Sequence, residues 1–206
     1  MLNTSEPDRL PKEAAAELNK FLKLLCPGEF VESVTQIDVA KLKSRRITAL
    51  LIDLDNTLVP WQSYDIAQGV VNWIREAEQQ GIGFCIVSNT RSWGRLKRLA
   101  GILGVPFVER SLKPRRAGFY EALKLLKVNT DNAAVIGDQI FTDVLGGNRL
   151  GMHTILVNPL HPREFFGTKI SRLFEKAILR FFERRGLLHR VGKSRTSGNN
   201  IPKTIV

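Results

Sequence analysis

At 206 residues, 43% hydrophobic and 25% charged, the chain has the length for one globular domain with its own core plus short extensions. No run approaches the roughly twenty apolar residues of a membrane span, and the two cysteines, Cys26 and Cys85, have no metal-ligand spacing around them. The net charge of +11 is lopsided: from Lys169 onward ten basic residues face only Glu175 and Glu183, so +8 of it lies in the C-terminal part, a balance that suits an anionic surface or a solvated tail. The first twenty residues carry Glu6, Asp8, Glu13 and Glu17 and lack an apolar signal core, so the expected location is cytoplasmic, or peripheral at the inner membrane face.

In chain order, residues 1–11 read as disordered, and Lys12 to Leu25 as a helix with Leu18, Phe21, Leu22 and Leu25 on one face, stopped by Pro27-Gly28. A connector with a helical turn at Val39 to Lys43 leads to the first strand, Ile47 to Asp53. A helix from about Ile66 to Gln80 ends at Gly81, and the apolar run Ile82 to Val87 is the second strand, with Cys85 as a small core residue. Ser92 to Leu103 is a helix closed by Gly104, Pro106 to Glu109 a third strand, and Pro114 to about Lys127 a helix with proline in its first turn. Ala133 to Gly137, a helix over Thr142 to Leu150, and His153 to Val157 complete five strands alternating with helices. That alternation predicts an α/β fold whose parallel sheet is covered on both faces, within a domain spanning 12–167.

In such sheets ligands bind beyond the carboxyl ends of the strands, and the candidate polar residues gather there. Asp53 and Asp55 follow the first strand, Ser88 the second, Asp138 the fourth, and Lys113 lies just past the third. Two acids one residue apart repel each other, and burying them unpaired is expensive, so a cation such as Mg²⁺ or a charged substrate group is expected between them. Taken alone, Asp53 and Asp55 could equally cap the following turn. Arg91 and Arg95, close behind Ser88, read either as attraction for a phosphorylated substrate or as solvated surface. His153, His161 and His189 have no metal partner at useful spacing and read as structural. Trp61 fits the cleft mouth or the core, and Trp73 and Trp93 read as helix packing.

Four motifs, Asp53-Leu54-Asp55-Asn56-Thr57, Ser88-Asn89-Thr90, Lys113-Pro114 and Gly137-Asp138-Gln139-Ile140-Phe141-Thr142-Asp143, stand in the order and strand context of the haloacid dehalogenase (HAD) superfamily, which the chain resembles over about Cys26 to Phe182. Asp-Leu-Asp-Asn-Thr-Leu-Val-Pro-Trp at 53–61 and Gly-Asp-Gln-Ile-Phe-Thr-Asp-Val-Leu-Gly-Gly-Asn at 137–148 resemble most closely the subfamily IIIA branch known as YqeG-like, related to mitochondrial-type phosphatidylglycerophosphatases. The resemblance implies a Rossmannoid three-layer fold and an Mg²⁺-dependent phosphatase. It makes Asp53 the nucleophile that forms an aspartyl-phosphate and Asp55 the general acid and then base. Ser88, Asn89 and Lys113 become the phosphate-binding residues; Asp53, Asp55 through its carbonyl, and Asp138 become the metal ligands, with Thr57 and Asp143 behind them.

Only residues 56–87 separate Asp55 from Ser88, and 89–112 separate Ser88 from Lys113, so neither usual cap insertion fits and an open site is expected. Something large should then cover it: a macromolecule, a second protomer, or a membrane carrying a lipid substrate. Residues 168–185 read as a basic amphipathic helix, with Ile170, Leu173, Phe174, Ala177, Ile178 and Phe181 on one face and Lys169, Arg172, Lys176 and Arg180 on the other. Its apolar face suits a lipid interface or packing on the sheet, and residues 186–206 read as a flexible basic tail. The expected substrate is phosphatidylglycerophosphate. The alternatives are a soluble or phosphoprotein substrate, or a non-catalytic RNA- or membrane-binding protein on the same fold; nucleic acid is the weakest partner because the tail lacks a reader motif.

Overall fold

The computed structural model describes residues 12–161, 166–188 and 190–191. Its strands are β1 (Glu29–Val31), β2 (Ala49–Ile52), β3 (Gly83–Val87), β4 (Phe107–Val108), β5 (Ala133–Gly137), β6 (His153–Val157) and β7 (Arg190–Val191). All pair in parallel, in the order β4-β3-β2-β5-β6-β1-β7. The helices are α1 (Lys12–Leu25), α2 (Val39–Ser44), α3 (Gln68–Gln79), α4 (Trp93–Leu103), α5 (Arg116–Leu126), α6 (Leu145–Asn148) and α7 (Phe166–Arg184).

The central strand β2 shows why its sequence reads as an unbroken apolar run. Leu50 and Ile52 pack with Trp73 and Ile74 of α3 and Leu96 and Leu99 of α4, while Ala49 and Leu51 point to the other face with Phe119, Ala122 and Leu123 of α5. A strand covered on both faces has no solvent side to make polar. Each large side chain so buried stabilises by about 1.5–3 kcal/mol. Cys85 shares the α5 face, and burial pushes its thiol up to about 12, as suits a core residue. A third cluster joins Leu25 of α1, Phe30 of β1, Val144, Leu156 of β6, and Leu179 and Phe182 of α7.

The class is as expected, but the sheet has seven strands among the described residues rather than five. The additions, β1 and β7, are three and two residues long, too short to carry a two-residue period. Gly28 makes room for β1: a Cβ there would lie 2.7 Å from the His153 ring, and the Gly28 N–H donates to Thr154 Oγ1 at 3.1 Å. Glu29 then pairs with Lys41 Nζ at 2.8 Å and His153 Nε2 at 3.0 Å, so His153 is structural, as expected.

Three boundaries shift for local reasons. The helix expected to begin at Pro114 begins at Arg116, because Arg115 is still extended; Pro114, after a cis bond to Lys113, belongs to the loop. The helix expected over 142–150 opens as a π turn at Ile140–Val144 before the short α6. The C-terminal helix is rolled relative to its expected face. Glu175, Leu179 and Phe182 are buried, while Leu173, Phe174 and Phe181 are exposed. Glu175, which the helical periodicity placed on neither face, is buried. The expectations for 1–11, for His189 and for 192–206 lie outside the described residues.

Candidate active site

The register of the three central strands builds the site. Ile52 pairs with Ile86 on one side and with Ile136 on the other, so Asp53, Ser88 and Asp138, one or two residues further on, emerge together at the carboxyl edge. Asp53 still belongs to the ladder, its N–H donating to Ile136 O at 2.9 Å. The chain then turns on Asn56, whose left-handed backbone (φ 61) is one that Asn tolerates, and Asn56 N–H donates to Val59 O at 2.7 Å. This tight turn holds Asp55 at the cleft wall. Asp53, Asp55, Ser88, Arg95 and Gln139 line a cleft of about 500 Å³, with Trp61 at its side, and no cap domain interrupts 56–87 or 89–112.

Lys113 is the central cation. Its Nζ donates to Asp53 Oδ1 at 2.7 Å and to Asp143 Oδ1 at 2.6 Å, with all three side chains buried. Burial alone would push the ammonium down, but the two carboxylates more than reverse this and hold it above its ordinary value. Asp143 shares that ammonium with Asp53; burial, against the pull of Lys113, pushes its carboxyl up to about 6. Gly137 permits the approach, since a Cβ there would lie 2.2 Å from the Asp143 carboxylate.

Asp55 is only partly buried. Arg95 Nη2 donates to both of its carboxylate oxygens, and the Gln62 N–H donates to Oδ1 at 3.1 Å. Burial raises the Asp55 carboxyl and Arg95 lowers it only part of the way back, so it stands above the usual carboxylate value, a useful direction for a proton donor. Ser88 is buried at the end of β3, its Oγ accepting from Thr90 N–H at 3.3 Å. The Asn89 side chain is committed to the loop opposite: Nδ2 donates to Lys113 O at 3.0 Å, and Oδ1 accepts from Lys113 N–H at 2.8 Å and Ser111 Oγ at 3.0 Å. Thr57 is buried, and its hydroxyl makes no hydrogen bond among the described residues.

The donor set suits a divalent ion. Oxygens of Asp53, Asp138 and Asp143 lie within 4.8 Å of one another, all buried, and hard carboxylate oxygens are what Mg²⁺ takes. With Asp55, four carboxylates face two cations, Lys113 and Arg95, leaving two negative charges in excess among these side chains. One divalent cation would neutralise that excess.

Three contributors were not singled out from sequence for the parts they take. Arg95 was left between substrate attraction and solvated surface; at 4% exposure it is not solvated. Ser111, also buried, donates to Ser88 O at 2.6 Å and so ties the two phosphate-side loops together. Glu175, on α7, accepts from Ile140 N–H at 2.8 Å and Phe141 N–H at 3.4 Å, the two amides that follow Asp138-Gln139. Its signal was an acid one turn before Leu179 on what became the packing stripe. Glu175→Leu would leave those buried amides without this acceptor, at about 1–3 kcal/mol each. The expected result is a lower melting temperature and weaker Mn²⁺ binding in an equilibrium titration, with Glu175→Gln recovering most of both.

Sequence comparisons point to the superfamily that the motifs resemble. A family model described as HAD-hyrolase-like matches residues 112–159, the segment carrying Lys113, Asp138 and Asp143. Probable phosphatase YqeG of Bacillus subtilis (strain 168) is 39% identical over 164 residues, covering 80% of this chain and 95% of that protein. Phosphatidylglycerophosphate phosphatase 1, chloroplastic/mitochondrial, of Arabidopsis thaliana is 26% identical over 175 residues, covering 80% of this chain and 50% of that protein. A HAD phosphatase from Thermococcus onnurineus, of known structure, aligns with TM-score 0.42 and 23% identity over 50% of this chain and 51% of that one. With its motifs meeting at one strand edge, and with that identity sustained over nearly the whole of a YqeG protein, the chain belongs to the YqeG-like phosphatases of the haloacid dehalogenase superfamily.

Proposed function

We propose that the chain is an Mg²⁺-dependent phosphomonoesterase that works through an aspartyl-phosphate on Asp53 and converts phosphatidylglycerophosphate to phosphatidylglycerol. One observation carries the mechanism: Asp53 lies on the cleft with Lys113 Nζ 2.7 Å from its Oδ1, and Asp55, two residues on, stands at the same cleft under a different partner. Asp53 attacks phosphorus in line as the bond to the leaving oxygen breaks, and Asp55 gives that oxygen its proton. Water then attacks the aspartyl-phosphate, Asp55 takes its proton, and inorganic phosphate leaves with Asp53 restored. Ser88 donates its hydroxyl to a phosphoryl oxygen, and Lys113 balances charge on Asp53 and on the transferred group. Asp53, the Asp55 carbonyl and Asp138 would hold the metal, with Asp143 behind them; Mg²⁺, when bound, supplies charge neutralisation to the phosphoryl oxygens.

Three features support a lipid substrate. Among the described residues the cleft has no cap; one relative is named a phosphatidylglycerophosphate phosphatase; and α7 offers Leu173, Phe174 and Phe181 exposed beside Lys176, Arg180 and Arg184. Glu175 and Lys176 line a recess with Asp138, so this part of α7 stands at the same sheet edge as the site. No helix among the described residues is long and apolar enough to cross a membrane, and the reading is of a helix lying in an anionic interface.

The test is a substrate panel with Mg²⁺ alongside vesicle flotation. Rapid release of phosphate from phosphatidylglycerophosphate in phosphatidylglycerol vesicles is expected. Leu173→Ser with Phe174→Ser should cut vesicle binding and lipid turnover at least about tenfold while leaving p-nitrophenyl phosphate turnover unchanged. Indifference to the lipid alongside fast turnover of a soluble phosphoprotein, nucleotide or sugar phosphate would end the lipid reading and keep the phosphatase.

A further inference from the structure

In the chemistry just described Arg95 acts only through Asp55, yet with Lys113 it is one of two buried basic side chains among the described residues. Burying a guanidinium is costly unless charged partners need it there. Nη1 donates to Ser63 O at 2.7 Å, fixing the arm to the loop that follows Asp55, and Nη2 engages both oxygens of Asp55. The side chain therefore reaches the cleft from α4 with its planar fork held in one orientation.

Its position fixes which part of a substrate it would meet. An in-line displacement places nucleophile and leaving group on opposite sides of phosphorus. Asp53 marks the first side, and Asp55, the proton donor to the leaving oxygen, marks the second. Arg95, held against Asp55, thus stands beside the leaving group, while the transferred phosphoryl group has Lys113, Ser88 and the metal ligands. Arg91 lines the same cleft and is exposed, and among the described residues the acids lining it are Asp53 and Asp55. On this wall Arg91 and Arg95 stand against Asp55, one positive charge more than a neutral alcohol needs.

We propose that Arg95 is a specificity-determining residue that selects phosphomonoesters whose leaving group carries a second anion close to the scissile bond. The inference rests on the phosphatase reading above and refines it: in phosphatidylglycerophosphate the second anion is the phosphodiester, one glycerol away from the departing oxygen. With Nη2 engaged by Asp55 and one Nη1 hydrogen by Ser63 O, the guanidinium would act on the phosphodiester through its fixed charge and its remaining N–H groups. The recognition belongs to the charge and not to the acyl chains, so a deacylated, water-soluble substrate carries it in full.

The experiment compares the full chain and two variants, Arg95→Gln and Arg95→Lys, with Mg²⁺, on glycerophosphoglycerophosphate and on p-nitrophenyl phosphate. The wild type should prefer the first in kcat/KM. Arg95→Gln should lose about 10- to 100-fold more on the first than on the second, the extra loss mostly through KM, because the share that passes through Asp55 falls on both. Arg95→Lys should fall between, because a point charge replaces the fork; it carries the comparison if the glutamine variant melts well below the wild type. An equal loss on both substrates, in kcat alone, would show that Arg95 merely orients Asp55 and would overturn the proposal while the phosphatase stands. A wild type silent on both substrates would instead remove the phosphatase reading, and this inference with it.

Discussion

Asp53→Asn is expected to abolish Mg²⁺-dependent phosphate release, lowering kcat by at least about 10³-fold on any substrate the wild type accepts. The amide keeps the shape of the side chain and one oxygen for Lys113 Nζ, so the fold should survive. It removes the charge that attacks phosphorus. A stopped or steady-state phosphate assay, with circular dichroism to show that the variant is folded, is the check. Asp55→Asn should behave differently: formation of the phosphoenzyme then depends on how good the leaving group is, so p-nitrophenyl phosphate should suffer less than an alkyl ester.

Lys113→Ala is expected to damage both stability and rate. Removing the ammonium leaves Asp53 and Asp143 buried side by side, with Asp53, Asp138 and Asp143 oxygens within 4.8 Å of one another. Breaking a buried pair by deleting one partner costs about 3–5 kcal/mol, and losing one preorganised charge on the transferring group costs about 10²–10³ in rate. The stability loss should depend on pH in a definite direction. Asp143 already stands at about 6, above its ordinary value, so in the folded state its charged form is disfavoured. A raised folded value makes the acid least costly at low pH and progressively destabilising as pH rises through that value. Without Lys113 that cost grows. In EDTA, the fall in melting temperature should therefore be larger at pH 8 than at pH 5, and Mg²⁺ should recover part of it at pH 8. A loss independent of both pH and Mg²⁺ would contradict the charge arrangement.

How much of this was legible in the sequence divides along physical lines. The strands flanking the cleft were readable because a strand buried on both faces has to be apolar throughout; β2, β3 and β5 obey that rule, and β6 does so from Ile155 to Val157. Their carboxyl ends were readable because Asp53, Ser88 and Asp138 follow at once. Strand β1 was hidden: three residues cannot show a period, and its place beside β6 depends on Gly28 approaching His153, a contact more than a hundred residues away in sequence.

The same limit governs side-chain roles. Which residues reach the cleft followed from topology, but which partner each takes did not. Asn89 and Ser111 hold the Lys113 loop, and Arg95 turns inward to Asp55, through tertiary contacts that no local pattern encodes. In α7 the helix was legible and its rotation was not, because Glu175 turns inward to two backbone amides that belong to the turn after Asp138.

The most direct measurement is chemical trapping of the intermediate. Enzyme turning over ³²P-labelled substrate with Mg²⁺ is quenched in acid, reduced with borohydride to convert any acyl phosphate to an alcohol, and mapped by peptide mass spectrometry. Conversion at Asp53 alone, absent in Asp53→Asn and absent without divalent metal, is the predicted result. Phosphate released at full rate with no acyl phosphate trapped, or the conversion to an alcohol found at another residue, would contradict it.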